Sequence, residues 1–342
     1  MNTSLALAVL SLLASFGVNC QQIDETIVSC YEAGCPSSAT VEQSYNCTVA
    51  DRTFDYIGLR NISTAQNSLY GLSWTRGIEH TDTNRPNFDT DHFAIRSSFY
   101  LGTPPNFNLT GTGACAVFIN GISSRLYSRS MTGHWTCSDA MSQTCVRSLI
   151  NTAKIIVGGL DSGTPSADAC SKLQESLLKD LDQSCLALTN DSINPWFNNL
   201  DAIPLSGTKN VPQPITSKQN STSTCWPVLP KHNGLSLVNE YSVNLKIDAP
   251  EEIGHAFLVT PILTVLYPLT DKSIIDEPDI SMSCLKIMVP GVFESLPSPD
   301  KPKHKHKHKH KHGYDYWNEG DSITSPSPLL LMIITMLALL AF

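Results

Sequence analysis

The sequence predicts an α+β fold: a disulfide-bonded, mainly antiparallel β body with an inserted two-helix hairpin, followed by a disordered stalk. Three observations predict it. Several segments alternate apolar and polar residues with the period of two that a half-buried strand requires. Two consecutive segments instead repeat their apolar residues at spacings of three and four, the period of a helix. Ten of the eleven cysteines lie between residues 30 and 284, and beyond residue 296 a Lys/His repeat replaces apolar content.

In chain order, RTFDYIGLR (52–60), SLYGLSWTRG (68–77), FAIRSSFYLG (93–102) and ACAVFING (114–121) read as short strands broken by Gly, Pro and Asn. The first helix is SDAMSQTCVRSLINTAKIIVGG, with Ser138 as N-cap, Gly158–Gly159 as its stop, and Met141, Cys145, Leu149 and Ile156 on one stripe. After the turn VGGLDSGTP, a second helix starts at Ser166 with the stripe Cys170, Leu173, Leu177, Leu181 and Cys185. The stretch 190–233 is rich in Pro, Ser, Thr and Asn and reads as a long loop or the joint between two domains. In LSLVNEYSVNLKI (235–247), Leu235, Leu237, Tyr241, Val243, Leu245 and Ile247 share one face of a strand, with Ser236, Glu240, Ser242, Asn244 and Lys246 on the other. AFLVTPILTVLY (256–267) is apolar on both faces, a more buried strand whose middle Pro261 demotes to an edge or bulge, and CLKIMVP (284–290) is a third.

The ends of the chain address it. Residues 1–20 carry no charge and hold a short apolar core, Leu5–Val18, too short to span a bilayer. They read as a secretory signal peptide, cut after Cys20 or a little earlier after Gly17. Losing Cys20 leaves Cys30, Cys35, Cys47, Cys115, Cys137, Cys145, Cys170, Cys185, Cys225 and Cys284. That even number suits five disulfides, in any of about 945 connectivities. Asn46, Asn61, Asn108, Asn190 and Asn220 each begin an N-glycosylation sequon. Asn46 adjoins Cys47, so a bridge closing early would block that site. At the other end, the apolar run Leu329–Phe342 is 14 residues with nothing basic after it. A Ser/Thr/Pro spacer precedes it, and small residues surround Asn318 and Gly320. This is the layout of a GPI-attachment signal, with Asn318 or Gly320 as the attachment residue and 321–342 as the propeptide. Residues 21–295 are then a glycosylated ectodomain and 296–320 its stalk.

Composition narrows the functions. The chain is 41% hydrophobic and 16% charged, the balance of a packed body. Its net charge is −8, but the run 301–312 holds six of the 23 basic residues and no acid, so the remainder stands at 17 − 31 = −14. An acidic body without a basic, aromatic-interleaved patch excludes nucleic acid as a partner.

No catalytic constellation emerges. G-x-S-x-G and H-E-x-x-H are absent. GTGAC (111–115) and GGLDSG (158–163) read as turn glycines. HTD (80–82), DTDH (89–92) and DEPD (276–279) can ligate a cation but sit in polar loops, where solvated turn residues are the ordinary reading. A glycosidase needs two carboxyls about 5–10 Å apart, one with a raised pKa. Glu240 and Glu252 are the acids to weigh, although Glu240 lies on the polar face of its strand. His80, His92, His134, His232 and His255 are scattered.

SFYLGTPPNFNLTGTGACAVFING (98–121) and TCSDAMSQTCVRSLI (136–150) resemble uncharacterised secreted and GPI-anchored glycoproteins of filamentous fungi. The resemblance covers about the first half of the body and implies a cell-surface or cell-wall location. It implies no activity.

The stalk carries the densest signal. Lys301, Lys303, Lys305, Lys307, Lys309 and Lys311 alternate with His304, His306, His308, His310 and His312. The six ammonium groups give about +6, rising toward about +11 as the imidazoles protonate near pH 6.5. Such a run grips polyanions such as wall phosphates, acidic glycans or lipid head groups. Above that pH the imidazoles converge on Zn²⁺, Cu²⁺ or Ni²⁺ in either an extended or a helical conformation, against repulsion from the lysines. A repulsion-extended spacer is the third reading. The expectation is therefore a GPI-anchored cell-surface or cell-wall glycoprotein with a binding or structural role. Its partners are the outer leaflet of the plasma membrane, through the lipid, and wall polysaccharide or other polyanions. The alternative is a secreted surface enzyme such as a carbohydrate hydrolase.

Overall fold

Two four-stranded antiparallel sheets, each reading as alternating or continuous apolar sequence, frame the molecule. The structure, a computed structural model, describes residues 29–30, 33–36, 46–81, 92–120, 136–161, 163–179, 182–186, 200–208, 211–246 and 259–287. The expected signal peptide, the Lys/His run, Asn318, Gly320, the C-terminal apolar run and Asn190 lie outside the described residues. So do Glu252, His134 and His255, and the side chains of His80 and His92. Among the described residues no helix is long and apolar enough to cross a membrane.

The strands are β1 (Cys47–Val49), β2 (Arg52–Phe54), β3 (Tyr56–Asn61), β4 (Ser73–Thr81), β5 (His92–Thr103), β6 (Thr112–Ile119), β7 (Leu200–Pro204), β8 (Gly234–Lys246), β9 (Thr260–Pro268) and β10 (Asp279–Leu285). The helices are α1 (Cys137–Met141), α2 (Gln143–Gly158), α3 (Ser166–Lys179), α4 (Gln183–Leu186) and α5 (Ser217–Asn220). One sheet has the order β3-β4-β5-β8, the other β10-β9-β6-β7, and β1 pairs with β2 in a small hairpin. The fold is thus mostly antiparallel β with a few helices and several disulfides.

Alternation along each strand divides its side chains between two cores. In β6, Ala114, Ala116 and Phe118 face the first sheet and join Trp74, Phe99, Leu101, Ile262 and Leu285 between the sheets. Cys115, Val117 and Ile119 face the other way, under the helices, with Leu149, Ala153, Leu173 and Leu177. All eight residues of β6 are buried because both faces are covered. A third cluster, with Phe54, Ile57, Tyr100, Leu235 and four cysteines, covers the outer face of the first sheet. Phe99 and Phe118 meet edge-on at 5.2 Å and Trp74 meets Phe118 at 5.6 Å, so aromatic rings from both sheets interlock. At Gly58 a Cβ would lie 1.8 Å from the Lys286 carbonyl oxygen, which is why the chain after β10 can cross β3 only at a glycine.

The helical hairpin stands between β6 and β7, over the outer face of the second sheet. Its first member departs from the sequence expectation. Instead of one helix from Ser138, α1 ends at Met141 and α2 begins at Gln143. Ser142 sits between them at φ 64° and accepts a hydrogen bond from Cys145 N through its side chain at 3.3 Å, capping α2. The buried stripe of α2 is Cys145, Leu149, Ala153 and Val157, with Ile156 only packed against its margin. The second helix also breaks. α3 ends at Lys179, and Asp182 Oδ1 accepts from Ser184 N at 2.8 Å before α4.

Other boundaries shift for physical reasons. Residues 67–69 form a 3-10 turn, so β4 starts at Ser73. The stretch 190–233 contains β7 and α5. The last strand lies at 279–285 instead of 284–290. Pro261 neither bulges β9 nor places it at an edge. β9 is central, and Pro261 lies one residue beyond its last pair with β6, Phe118–Ile262, where no donor to β6 is needed. In β8 the register shifts opposite Phe99 and Tyr100, which pair with Asn239 and Leu237 and leave Val238 as an extra residue. Leu235 therefore lies in the outer cluster while Tyr241 packs against the inter-sheet core, and Leu237 is 38% exposed. The single apolar face expected for this strand is split between the two faces of the sheet.

Candidate functional site

At one end of the sandwich the chain must cross from β5 to β6, and the crossing loop opens a cleft of about 420 Å³. Pro104 and Pro105 stop β5. Asn106 turns the chain at φ 63°, and Gly111 turns it again at φ 77° into β6. A side chain at Gly111 would strike Thr270 Oγ1 at 2.6 Å. The Gly111 carbonyl accepts from Leu269 N at 2.9 Å and from Thr270 N at 3.0 Å. Thr112 Oγ1 accepts from Ile274 N at 3.1 Å and lies 2.9 Å from Ser273 Oγ. These bonds hold one wall of the cleft rigidly to the turn between β9 and β10. The segment after β7, from Leu205 to Thr208, also lines the cleft, with Leu101, Phe107 and Leu269 among the apolar lining residues.

The chemistry of the lining is uniform. Thr103, Thr110, Thr112, Ser166, Ser206, Thr208 and Ser236 supply hydroxyls, Asn108 an amide, and the remainder are apolar or glycine. No ionisable side chain stands among the described lining residues. Ser166 and Ser206, both lining residues, bond to each other at 2.9 Å. Asn108 is exposed at the rim, and its Oδ1 accepts from Thr110 N at 2.9 Å and Thr110 Oγ1 at 2.6 Å. Pattern reading missed this site because hydroxyls and prolines from five segments converge only in three dimensions. The signal present in sequence was the Pro-Pro-Asn-Phe-Asn run itself, an unusually apolar-and-amide crossing.

The acid weighed as a catalyst lies elsewhere. Glu240 is on the outer face of the first sheet, where Arg52 donates to it at 3.1 Å and Ser98 at 3.0 Å. Glu79 shares this cluster, bonded by Arg96 at 2.6 Å, with Arg52 at 3.9 Å. Burial pushes the Glu79 carboxyl above its ordinary range despite the attraction of Arg96 and Arg52. Both carboxylates are thus occupied by guanidinium groups. Asp279, expected in a solvated turn, is 6% exposed and its Oδ2 accepts from Ala65 N at 2.8 Å and Gln66 N at 3.1 Å. Burial raises its pKa more than those two bonds lower it.

Of the candidate cysteines, eight are bridged: Cys47–Cys225, Cys115–Cys170, Cys137–Cys284 and Cys145–Cys185. Cys30 and Cys35 are unbridged and buried. Among the described residues, one group of potential metal-ligating atoms gathers, the Sγ atoms of Cys35, Cys47 and Cys225, all within 4.8 Å of one another. Of the sequons, Asn46, Asn61 and Asn108 are exposed. Asn220 is half-buried, with an Oδ1 that is shielded and without a hydrogen-bond partner. His232 is exposed. No family model matches the chain, and no curated protein or solved structure is similar to it.

Proposed function

We propose that this protein is a GPI-anchored glycoprotein of the cell surface or wall, and that its cleft binds a neutral saccharide without cleaving it. The observation that carries the binding reading is the uncharged lining. A polyhydroxylated ligand needs groups that both donate and accept, and the hydroxyls of Thr103, Thr208 and Ser236 can do both, whereas Thr110, Thr112, Ser166 and Ser206 are already bonded within the protein. Phe107 and the leucines of the lining offer apolar surface for the C–H faces of sugar rings. An ionic ligand would find no counter-charge here, and a hydrolase would find neither a proton donor nor a nucleophilic carboxylate among these residues. The bonds that fix the 104–112 crossing make the cleft preformed, so little ordering entropy opposes binding.

The location rests on the two apolar ends and the sequons, and the Lys/His stalk is assigned contact with polyanions and transition metals on its charge and imidazole density. A phosphatidylinositol-specific phospholipase is expected to release the protein from intact cells. Native material still carrying Leu329–Phe342 by mass spectrometry refutes the anchor. The released protein, screened on an array of neutral and acidic glycans, is expected to retain neutral oligosaccharides through the body. Thr208, an exposed residue of the lining, is the residue to test. Thr208→Trp fills the opening and is expected to abolish that binding while leaving the melting temperature unchanged. Undiminished binding by the variant moves the ligand out of the cleft.

A further inference from the structure

The four cysteines of the outer cluster are not equivalent. Cys35 Sγ lies 3.1 Å from Cys225 Sγ, which is itself bonded to Cys47. We propose that Cys225 has two covalent partners, Cys47 and Cys35, and that these sulfurs form an internal thiol–disulfide exchange site. The step balances within the cluster. Cys35 gives up its proton and its thiolate attacks Cys225 Sγ. The Cys35–Cys225 bond forms as the Cys47–Cys225 bond breaks, and the electron pair leaves on Cys47, which takes up the proton. One bridge exists before and after, so no outside oxidant enters.

The surroundings favour the attack. A hydrogen bond from Cys30, and then the charge of Lys231, draw the Cys35 thiol below its ordinary value. The same hydrogen bond, with burial, pushes the Cys30 thiol up, so Cys30 keeps its proton and acts as the donor. The Lys231 ammonium is held at the turn by the carbonyls of Ala33 and Trp226. Chain entropy does not choose between the pairings. They span 178 and 190 residues, which changes the closure term by only about a tenth in population. Cys35, Cys47 and Cys225 are 8%, 0% and 5% exposed, so exchange is sealed from external thiols. Its effect is to move one tether between β1 and the segment Ala33–Pro36 without opening the core.

The test is peptide mapping of the full-length protein, denatured and alkylated in acid to stop exchange. The Cys225 peptide is expected in disulfide linkage to both the Cys47 and the Cys35 peptides, each at a tenth of the total or more. Cys35→Ser should leave Cys47 as the sole partner, and Cys47→Ser should leave Cys35, with the near-ultraviolet circular dichroism of the parent. A single partner for Cys225 in the unmutated protein overturns the proposal. So does recovery of all four thiols free together with one bound metal ion per chain. The unmutated map decides the question even if Cys47→Ser fails to fold.

Discussion

The indole N–H of Trp74 is buried between the sheets, and Thr264 Oγ1 accepts from it at 2.9 Å across 190 residues of chain. Thr264 is 1% exposed, so no water can replace it. Thr264→Val keeps the shape but strands the donor, and the expected cost is about 1–3 kcal/mol, read as a lower urea midpoint with unchanged slope. Arg76 is buried beside this layer. It donates to Ser97 Oγ at 3.0 Å and Tyr241 Oη at 3.3 Å, with its guanidinium 5.5 Å from the Phe99 ring centroid. Glu79 makes a prediction about pH. Its folded pKa is raised, so the native state holds that proton more tightly than the unfolded chain. Its contribution is therefore greatest below the unfolded carboxylate pKa and is lost as pH rises through the folded one. Glu79→Gln removes this slope. Between about pH 4 and about pH 7, the stability of the unmutated protein relative to the variant should fall, measured by urea denaturation at each pH.

Elements show where sequence reading succeeded and where tertiary structure intervened. Ser142 divides the first helix at φ 64° and ψ 146°, a region that glycine alone adopts freely. Ser142→Gly trades the cap for relief of that strain and is expected to change stability by a few tenths of a kcal/mol at most. Ser142→Ala loses the cap and keeps the strain, at about 1 kcal/mol, so the two variants should separate in thermal unfolding. The helical stripes of α2 and α3 were legible because one face of each packs on a sheet and the other meets water. The break at Ser142 was not legible, since a serine in a helical pattern looks the same whether it caps or continues. β8 was legible as a strand but not as a bulged one. Its clue was Val238 and Asn239, the adjacent pair out of phase with the alternation on both sides. β10 was misplaced although 279–284 alternates polar and apolar residues, because its phase is reversed: Ser281 and Ser283 are buried at 4% and 2%, while Ile280 and Met282 are only half-buried. The cleft was invisible to any local pattern, being made of residues from Leu101 to Leu269.

At the scale of the whole molecule, an acidic body and a basic repeat share one chain. A peptide of residues 297–317 is expected to bind heparin more tightly as pH falls below about 6.5, and to bind Zn²⁺ only above it, because the same five imidazoles serve both. Calorimetry at two pH values reads both, and absence of heat with either ligand leaves a spacer. The bridges organise the body over long distances, with Cys47–Cys225 and Cys137–Cys284 spanning 178 and 147 residues. This has a consequence for biosynthesis. A chain threaded into an exporting compartment as it is made presents Asn46 long before Cys225 exists. At about 5–20 residues per second, the 178 residues between Cys47 and its partner take roughly 10–35 s to follow. On the proposed location, a glycosylating enzyme would meet Asn46 before Cys225 is available to its neighbour. Glycopeptide mapping should find Asn46 as fully occupied in the parent as in Cys225→Ser. On that proposal the length of the bridge would act as a delay line, keeping an asparagine beside a cysteine open for modification until the body can close over its sulfur.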